Sequence, residues 1–237
     1  MPAAKDGGTI SPALNLTERK QMAVRISRTA KLGVKSWSLQ SLETCPGSLN
    51  EEGNLVDACS GCYATDGYYV MGHVKEPRAE NKEDWEREEW VSDMTKELAR
   101  AKYFRWFDSG DMYSLKLAKK MLQLMKATPN TKHWLPTRMG KFIKFQSILA
   151  EMQSLPNVMV RFSSDSIVGE FTPGLHGSVI IPSSEAAPAG VFVCEAYDHE
   201  GKCFSCRACY SKDIAVIAYP QHGRKMLKLF KIMLETA

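Results

Sequence analysis

No stretch of this 237-residue chain stays apolar for the roughly 20 residues that a membrane-spanning helix needs, so no membrane association is expected. The N-terminus is polar and lacks the apolar core of a secretory signal, which makes a reducing cytoplasm the expected location. There is no Walker loop, no GxGxxG fingerprint and no HExxH helix, which leaves nucleotide hydrolysis, Rossmann cofactors and metalloprotease chemistry without support. Internal repeats and low-complexity segments are also missing. Outside residues 1–36 there is no charge excess. Seven of the 31 Lys and Arg and two of the 27 Asp and Glu lie in that stretch, and the remainder balances at 24 basic against 25 acidic. Cysteine is missing from most of the chain, because all seven fall within residues 45–62 and 194–209.

Those two stretches carry the chemistry. Cys45, Cys59 and Cys62 are spaced C-x13-C-x2-C, and Cys194, Cys203, Cys206 and Cys209 are spaced C-x8-C-x2-C-x2-C. Thiols two residues apart close on one metal centre because a tight turn brings both sulfurs to the same side. An odd number of clustered cysteines in a reducing compartment fits metal ligation better than disulfides. The C-x2-C-x2-C run favours iron and sulfide, and three thiolates at Cys45, Cys59 and Cys62 would leave one iron of a 4Fe–4S cluster open. One or two clusters fit seven thiols. A zinc knuckle drawn from both stretches is the alternative. His199 and His222 lie near the cysteines and could replace a thiol, although such histidines more often bond to backbone. Tyr63, Tyr68, Tyr69, Trp106 and Trp134 could form a stacking platform or simply pack.

Alternating elements frame these stretches. Residues 1–32 read as a basic arm and a helix that starts near Asn15 or Thr17, runs to Lys31 and ends at Gly33. Residues 33–237 read as a single α/β domain. Strands are expected at 34–39, 103–107, 132–136, 157–162, 179–181, 191–193 and 214–219. Helices are expected from Tyr63 to Met71, over 82–101 with Arg87, Val91, Met94, Leu98 and Ala101 in one stripe, and over 115–127 and 141–153. A closing helix over 224–234 turns Met226, Leu229, Phe230 and Met233 inward. Strand–helix alternation predicts a partial (βα)6-type barrel of about six mostly parallel strands with outer helices. Its Cys-rich loops and polar strand ends would lie at the carboxyl edge, where such sheets form sites.

A strand leading into a three-cysteine loop, followed by a strand ending in Ser109-Gly110-Asp111, resembles the radical S-adenosylmethionine (SAM) enzymes. That resemblance implies a 4Fe–4S cluster on Cys45, Cys59 and Cys62. It places Ser109, Gly110 and Asp111 at the SAM amino group, with Arg138, Ser163 and Asp165 facing the same cavity. The spacing departs from the C-x3-C-x2-C of those enzymes, and Gly61 stands where they carry an aromatic residue. More closely, CPGS with ACSGCYA, FRWFDSGDMYS, the strand end at Leu135–Arg138, VMVRFSSDS and GKCFSCRACY resemble the phage gene-product-88-like proteins, which implies a host-cytoplasmic phage protein. The expected function is redox or radical chemistry on an unidentified substrate. The rival is a non-enzymatic, metal-stabilised binding protein that holds nucleic acid or a host protein through the basic arm and Arg207, Lys212, Arg224 and Lys225.

Overall fold

The computed structural model describes residues 24–236. The main sheet has eight strands in the order β1-β2-β3-β4-β5-β6-β8-β7. These are β1 (Ser27–Arg28), β2 (Lys35–Trp37), β3 (Tyr103–Trp106), β4 (Lys132–Thr137), β5 (Val158–Ser163), β6 (Gly177–Ile181), β7 (Phe192–Val193) and β8 (Val216–Pro220). Every neighbouring pair is parallel except β1 with β2. The expected six-stranded partial barrel is therefore an open eight-stranded sheet. The last strand inserts between β6 and β7, because Ile217 and Ala218 are apolar and fully buried and take neighbours on both sides.

Six α-helices accompany the sheet: α1 (Asp57–Ser60), α2 (Gly72–Asp84), α3 (Trp90–Leu98), α4 (Leu115–Ala127), α5 (Ile143–Ser154) and α6 (Arg224–Thr236). Among the described residues none is long and apolar enough to cross a membrane. Side chains alternate across the strands. Trp37, Phe104, Trp106, Leu135, Val158 and Val160 pack against Met94, Leu98, Met121, Met125, Phe145, Leu149 and Met152 of α3, α4 and α5. Trp134, on the opposite face of β4, packs instead with Tyr210, Cys203 and Cys209. Helices thus cover one face of β3 to β5, and the second cysteine loop covers the other.

Four local expectations need correction. The helix expected to reach Lys31 lies partly on residues 1–23, outside the described residues. Within residues 24–31 the chain instead forms β1, and Gly33, at φ +66°, makes the turn into β2 by donating to the Thr29 carbonyl at 2.8 Å. Residues 63–71 form 3-10 turns at Tyr63–Thr65 and Gly67–Val70, and the α-helix begins only at Gly72. The single helix expected over 82–101 breaks between α2 and α3. Trp85 and Trp90 are both buried, and five residues of continuous helix would set them about 140° apart. Arg87, expected in the apolar stripe, bonds Asp84 at 2.5 Å and Asp93 at 3.1 Å within the break. In α6, Met226 and Phe230 are buried but Met233 is exposed, because the helix is packed along only part of its length.

His133 is fully buried on β4, with its ring stacked on Trp106 and its Nε2 2.9 Å from Thr128 Oγ1. Burial pulls its pKa down to about 3. The unfolded chain therefore binds the proton first, and stability falls as pH drops from about 6.5 toward 3. Between pH 7 and pH 5 this residue should remove about 2 kcal/mol of unfolding free energy. A His133→Leu variant should lose that part of the slope in urea titrations at the two pH values; an unchanged slope would refute the assignment.

Candidate functional site

The first cysteine loop leaves the carboxyl end of β2 and is held by its neighbours. Gly47 lies so close to the residue after β4 that a Cβ there would come within 2.7 Å of Arg138 Cβ. Lys141 Nζ donates to the Gly47 carbonyl at 2.8 Å and to Asp165 Oδ2 at 2.6 Å. The Asp165 carbonyl in turn accepts from Ala58 N at 2.9 Å, which fixes α1 and with it Cys59. Gly61 is required by α6, since a Cβ would meet Met226 Cε at 2.7 Å and its Cα at 3.0 Å. That contact accounts for the glycine directly before Cys62. Cys45, Cys59 and Cys62 all line one cavity of about 760 Å3. Burial pushes their thiols up, Cys45 to about 12 with Asp111 adding to the effect, while Arg138 and Lys141 oppose it at Cys59 and Arg138 and Lys225 oppose it at Cys62.

The second group gathers at the β7–β8 side. Cys194 N donates to the Ala218 carbonyl at 2.8 Å, Cys203 N to Lys31 O at 2.9 Å, and Cys206 N to Cys203 O at 2.8 Å. The Cys209 thiol is 3.3 Å from Tyr219 Oη. Cys45, Cys59, Cys62, Cys194, Cys203 and Cys209 all line that one cavity, whereas Cys206 is exposed and outside its lining. None is in a disulfide. Among the described residues no group of three or more His, Cys, Asp or Glu side chains stands close enough to hold a metal ion.

The residues expected to hold SAM come together but are bonded to one another. Asp111 is buried, and its Oδ1 accepts from Thr137 Oγ1 and Met112 N, both at 2.8 Å, while Oδ2 accepts from Arg138 N at 2.9 Å. Burial raises its pKa, and these donors oppose the shift. Ser109 Oγ donates to the Leu39 carbonyl at 2.6 Å. Gly110, at φ +80°, lets the turn lie against Leu39 and Thr44. Arg138 Nε reaches Asp165 Oδ1 at 3.2 Å and its Nη2 the Ser164 carbonyl at 2.9 Å. Ser163 Oγ accepts from Ser178 Oγ at 3.3 Å.

Reading the sequence alone passes over Asp108, one residue before that turn. Its Oδ2 accepts from Tyr69 at 2.7 Å and pairs with Arg78 at 3.5 Å, its Oδ1 pairs with Arg105 at 2.9 Å, and its carbonyl accepts from Tyr63 at 2.7 Å. The signal was an acid directly after an aromatic strand, with Arg105 three residues before it; Tyr63, Tyr69 and Arg78 are too distant in sequence to foresee. His222 sits between rings, 6.0 Å from Tyr63 and 4.3 Å from Tyr197, and burial pulls its pKa down to about 4. Tyr63 directly follows Cys62 in sequence, Tyr197 lies three residues after Cys194, and all three rings line the cavity. Lys31 bonds the Tyr197 hydroxyl and lies over its ring. Trp106, by contrast, is in the core on the helix side.

The basic residues expected to face nucleic acid make contacts within the chain. Arg224 pairs with Asp66 at 3.2 Å and Lys225 donates to Thr65 Oγ1 at 2.6 Å. Lys212 donates to the carbonyls of Gln153 and Leu155, and Arg207 to those of Phe204 and Cys206. His199 lies against Phe204. The rest of the basic arm, up to residue 23, is outside the described residues.

Because α6 seats directly on Gly61, Gly61→Ala should lower stability by about 1–3 kcal/mol through overpacking. Urea unfolding checks this, and a change within error would show that α6 does not bear on the loop.

No curated protein matches the chain significantly. No solved structure does either. One protein family does, under the description Gene product 88, and the match runs over residues 13–228. It spans both cysteine groups, the Asp111 turn and every strand of the sheet, and the chain belongs to the Gene product 88 family.

Proposed function

We propose that this phage-family protein is an iron–sulfur protein with two thiolate sites on one cavity. Cys45, Cys59 and Cys62 would hold a 4Fe–4S cluster by three thiolates, and Cys194, Cys203, Cys206 and Cys209 would hold a second centre by four. When bound, such clusters supply one-electron redox chemistry, and the three-thiolate cluster also offers an iron open to an outside ligand. The supporting observation is that two cysteine stretches more than 130 residues apart in sequence bring six of their seven thiols, all but Cys206, to the lining of one cavity. Lys31 and Arg207 lower the pKa at Cys203, and Arg105 and Arg161 do so at Cys209.

In this reading Ser109, Gly110, Asp111, Arg138, Ser163 and Asp165 shape the wall beside the first site. They are poorly suited to grip SAM, because Asp111 already accepts three hydrogen bonds and Arg138 is bonded to Asp165 and Ser164. An ammonium group would have to displace buried, satisfied partners. The chain's own residues instead fix the loop through Lys141 and Asp165, and His222 stands against the Tyr63 and Tyr197 rings in the cavity lining.

Protein purified without oxygen should be brown and contain about eight irons and eight sulfides per chain. Cys59→Ala and Cys206→Ala should each remove about half of that iron, from different sites. Colourless protein with stoichiometric zinc would overturn the proposal. Titration calorimetry on the reduced, iron-loaded protein should show no SAM binding, and no 5′-deoxyadenosine should form; either signal would return SAM to the site.

A further inference from the structure

One corner of the cavity is cationic. Arg78 reaches it from α2 and Arg105 from β3, and both stand beside Asp108 in the lining. Two guanidinium groups share this one carboxylate. Arg105 Nη1 meets Oδ1 at 2.9 Å, and Arg78 Nη2 stands 3.5 Å from Oδ2. The other carboxylate of the lining, Asp111, is already held by three donors. A guanidinium keeps its charge at any ordinary pH, so the trio carries one surplus positive charge. The three side chains are only 11%, 15% and 17% exposed, where an unmatched charge is costly.

Donors are left over as well. Arg161 on β5 shows a buried guanidinium that is filled, since it donates to six main-chain carbonyls at 2.8 to 3.4 Å, five of them within residues 208–215. Arg105 has only Asp108 and the Tyr63 hydroxyl as acceptors, and Arg78 only Asp108 and the Val74 carbonyl at 2.8 Å. Nε of each is buried without a partner. With five N–H groups apiece, neither fork is filled. Aromatic faces complete the corner. Arg105 lies 4.7 Å over Trp134 and Arg78 4.8 Å over Tyr69, while Tyr63 and Tyr197, both partly exposed, line the same cavity. Its volume of about 760 Å3 is that of a small-molecule site, about 300–1,000 Å3.

We propose that the Arg78–Arg105–Asp108 corner binds a small aromatic carboxylate, whose oxygens take up the spare guanidinium donors while its ring lies among Tyr63, Tyr69, Trp134 and Tyr197. Forked donors match the planar carboxylate, and the single surplus charge matches a monoanion better than a phosphate carrying close to two charges. The site goes beyond the iron–sulfur reading and does not rest on it, because none of the trio is a cysteine or a thiol's neighbour in sequence.

Titration calorimetry on the full-length protein tests this with naphthoate, the neutral naphthamide and naphthyl phosphate as probes. Naphthoate should bind at least about tenfold more tightly than naphthamide, the effect of one charge-assisted hydrogen bond, and more tightly than naphthyl phosphate. Arg105→Met should weaken naphthoate by about tenfold or more and leave naphthamide unchanged. Arg78→Met carries the same expectation if that variant does not fold. No saturable naphthoate binding, equal binding of naphthoate and naphthamide, tighter binding of the phosphate, or wild-type naphthoate affinity in the variant would each overturn the proposal. Iron is measured on the same samples. Naphthoate binding to iron-free protein would uphold this site and count against the clusters, and iron without naphthoate binding would do the reverse.

Discussion

A carboxylate sealed from water must find donors, and Asp111 finds three on two separate elements. It joins the turn after β3 to the end of β4, and its own N–H bonds the Thr44 carbonyl beside Cys45. Arg138 is thereby fixed at the carboxyl edge of the sheet. From there its guanidinium orients Asp165, Asp165 anchors Ala58, and Gly47 closes over Arg138 from the other side. Cys45 is thus held beside that buried acid through Thr44, and Cys59 is tied to it through Arg138, Asp165 and Ala58, with Cys62 following by its bond to the Cys59 carbonyl. Satisfied polar chains of this kind make a single arrangement of loops much better than any slipped one.

The two thiol groups have different surroundings. The first lies among ions: Arg138, Lys141, Lys225 and Asp165 all bear on Cys59 or Cys62. The second has cations as well, Lys31 and Arg207 at Cys203 and Arg161 and Arg105 at Cys209, but Cys203 and Cys209 are also packed on Leu32, Val34, Trp134 and Tyr210.

How far the sequence disclosed this depended on the range of the interactions. α4 was legible to its ends because Ala118, Met121, Leu122 and Met125 repeat at helical spacing, and all four are buried. The strand ends that carry Cys45, Asp111, Arg138 and Asp165 were legible because a parallel sheet sends its polar residues to one edge. The break between Trp85 and Trp90 was hidden, since helical periodicity runs across it and only the core reveals that both indoles go inward. Asp108 and Arg161 were hidden for a related reason. Their partners lie 30 to 54 residues away for Arg78, Tyr69 and Tyr63 at Asp108, and for the loop carbonyls at Arg161, and no local pattern records such pairings. The open sheet was hidden too, because the placement of β8 between β6 and β7 depends on which edge accepts a strand apolar on both faces.

The inserted strand has a consequence for the site. Pairing with both β6 and β7 places β8 so that Ala218 receives the Cys194 amide while Tyr219 reaches Cys209. β8 therefore brings together the two ends of a loop whose cysteines are 15 residues apart in sequence. Were β7 to pair directly with β6, Cys194 would lose the Ala218 acceptor and Tyr219 would stand at a sheet edge, away from the loop it now meets. The strand order is thus part of what holds Cys194 and Cys209 against one strand, and Arg161 on β5 grips the stretch that leads into β8.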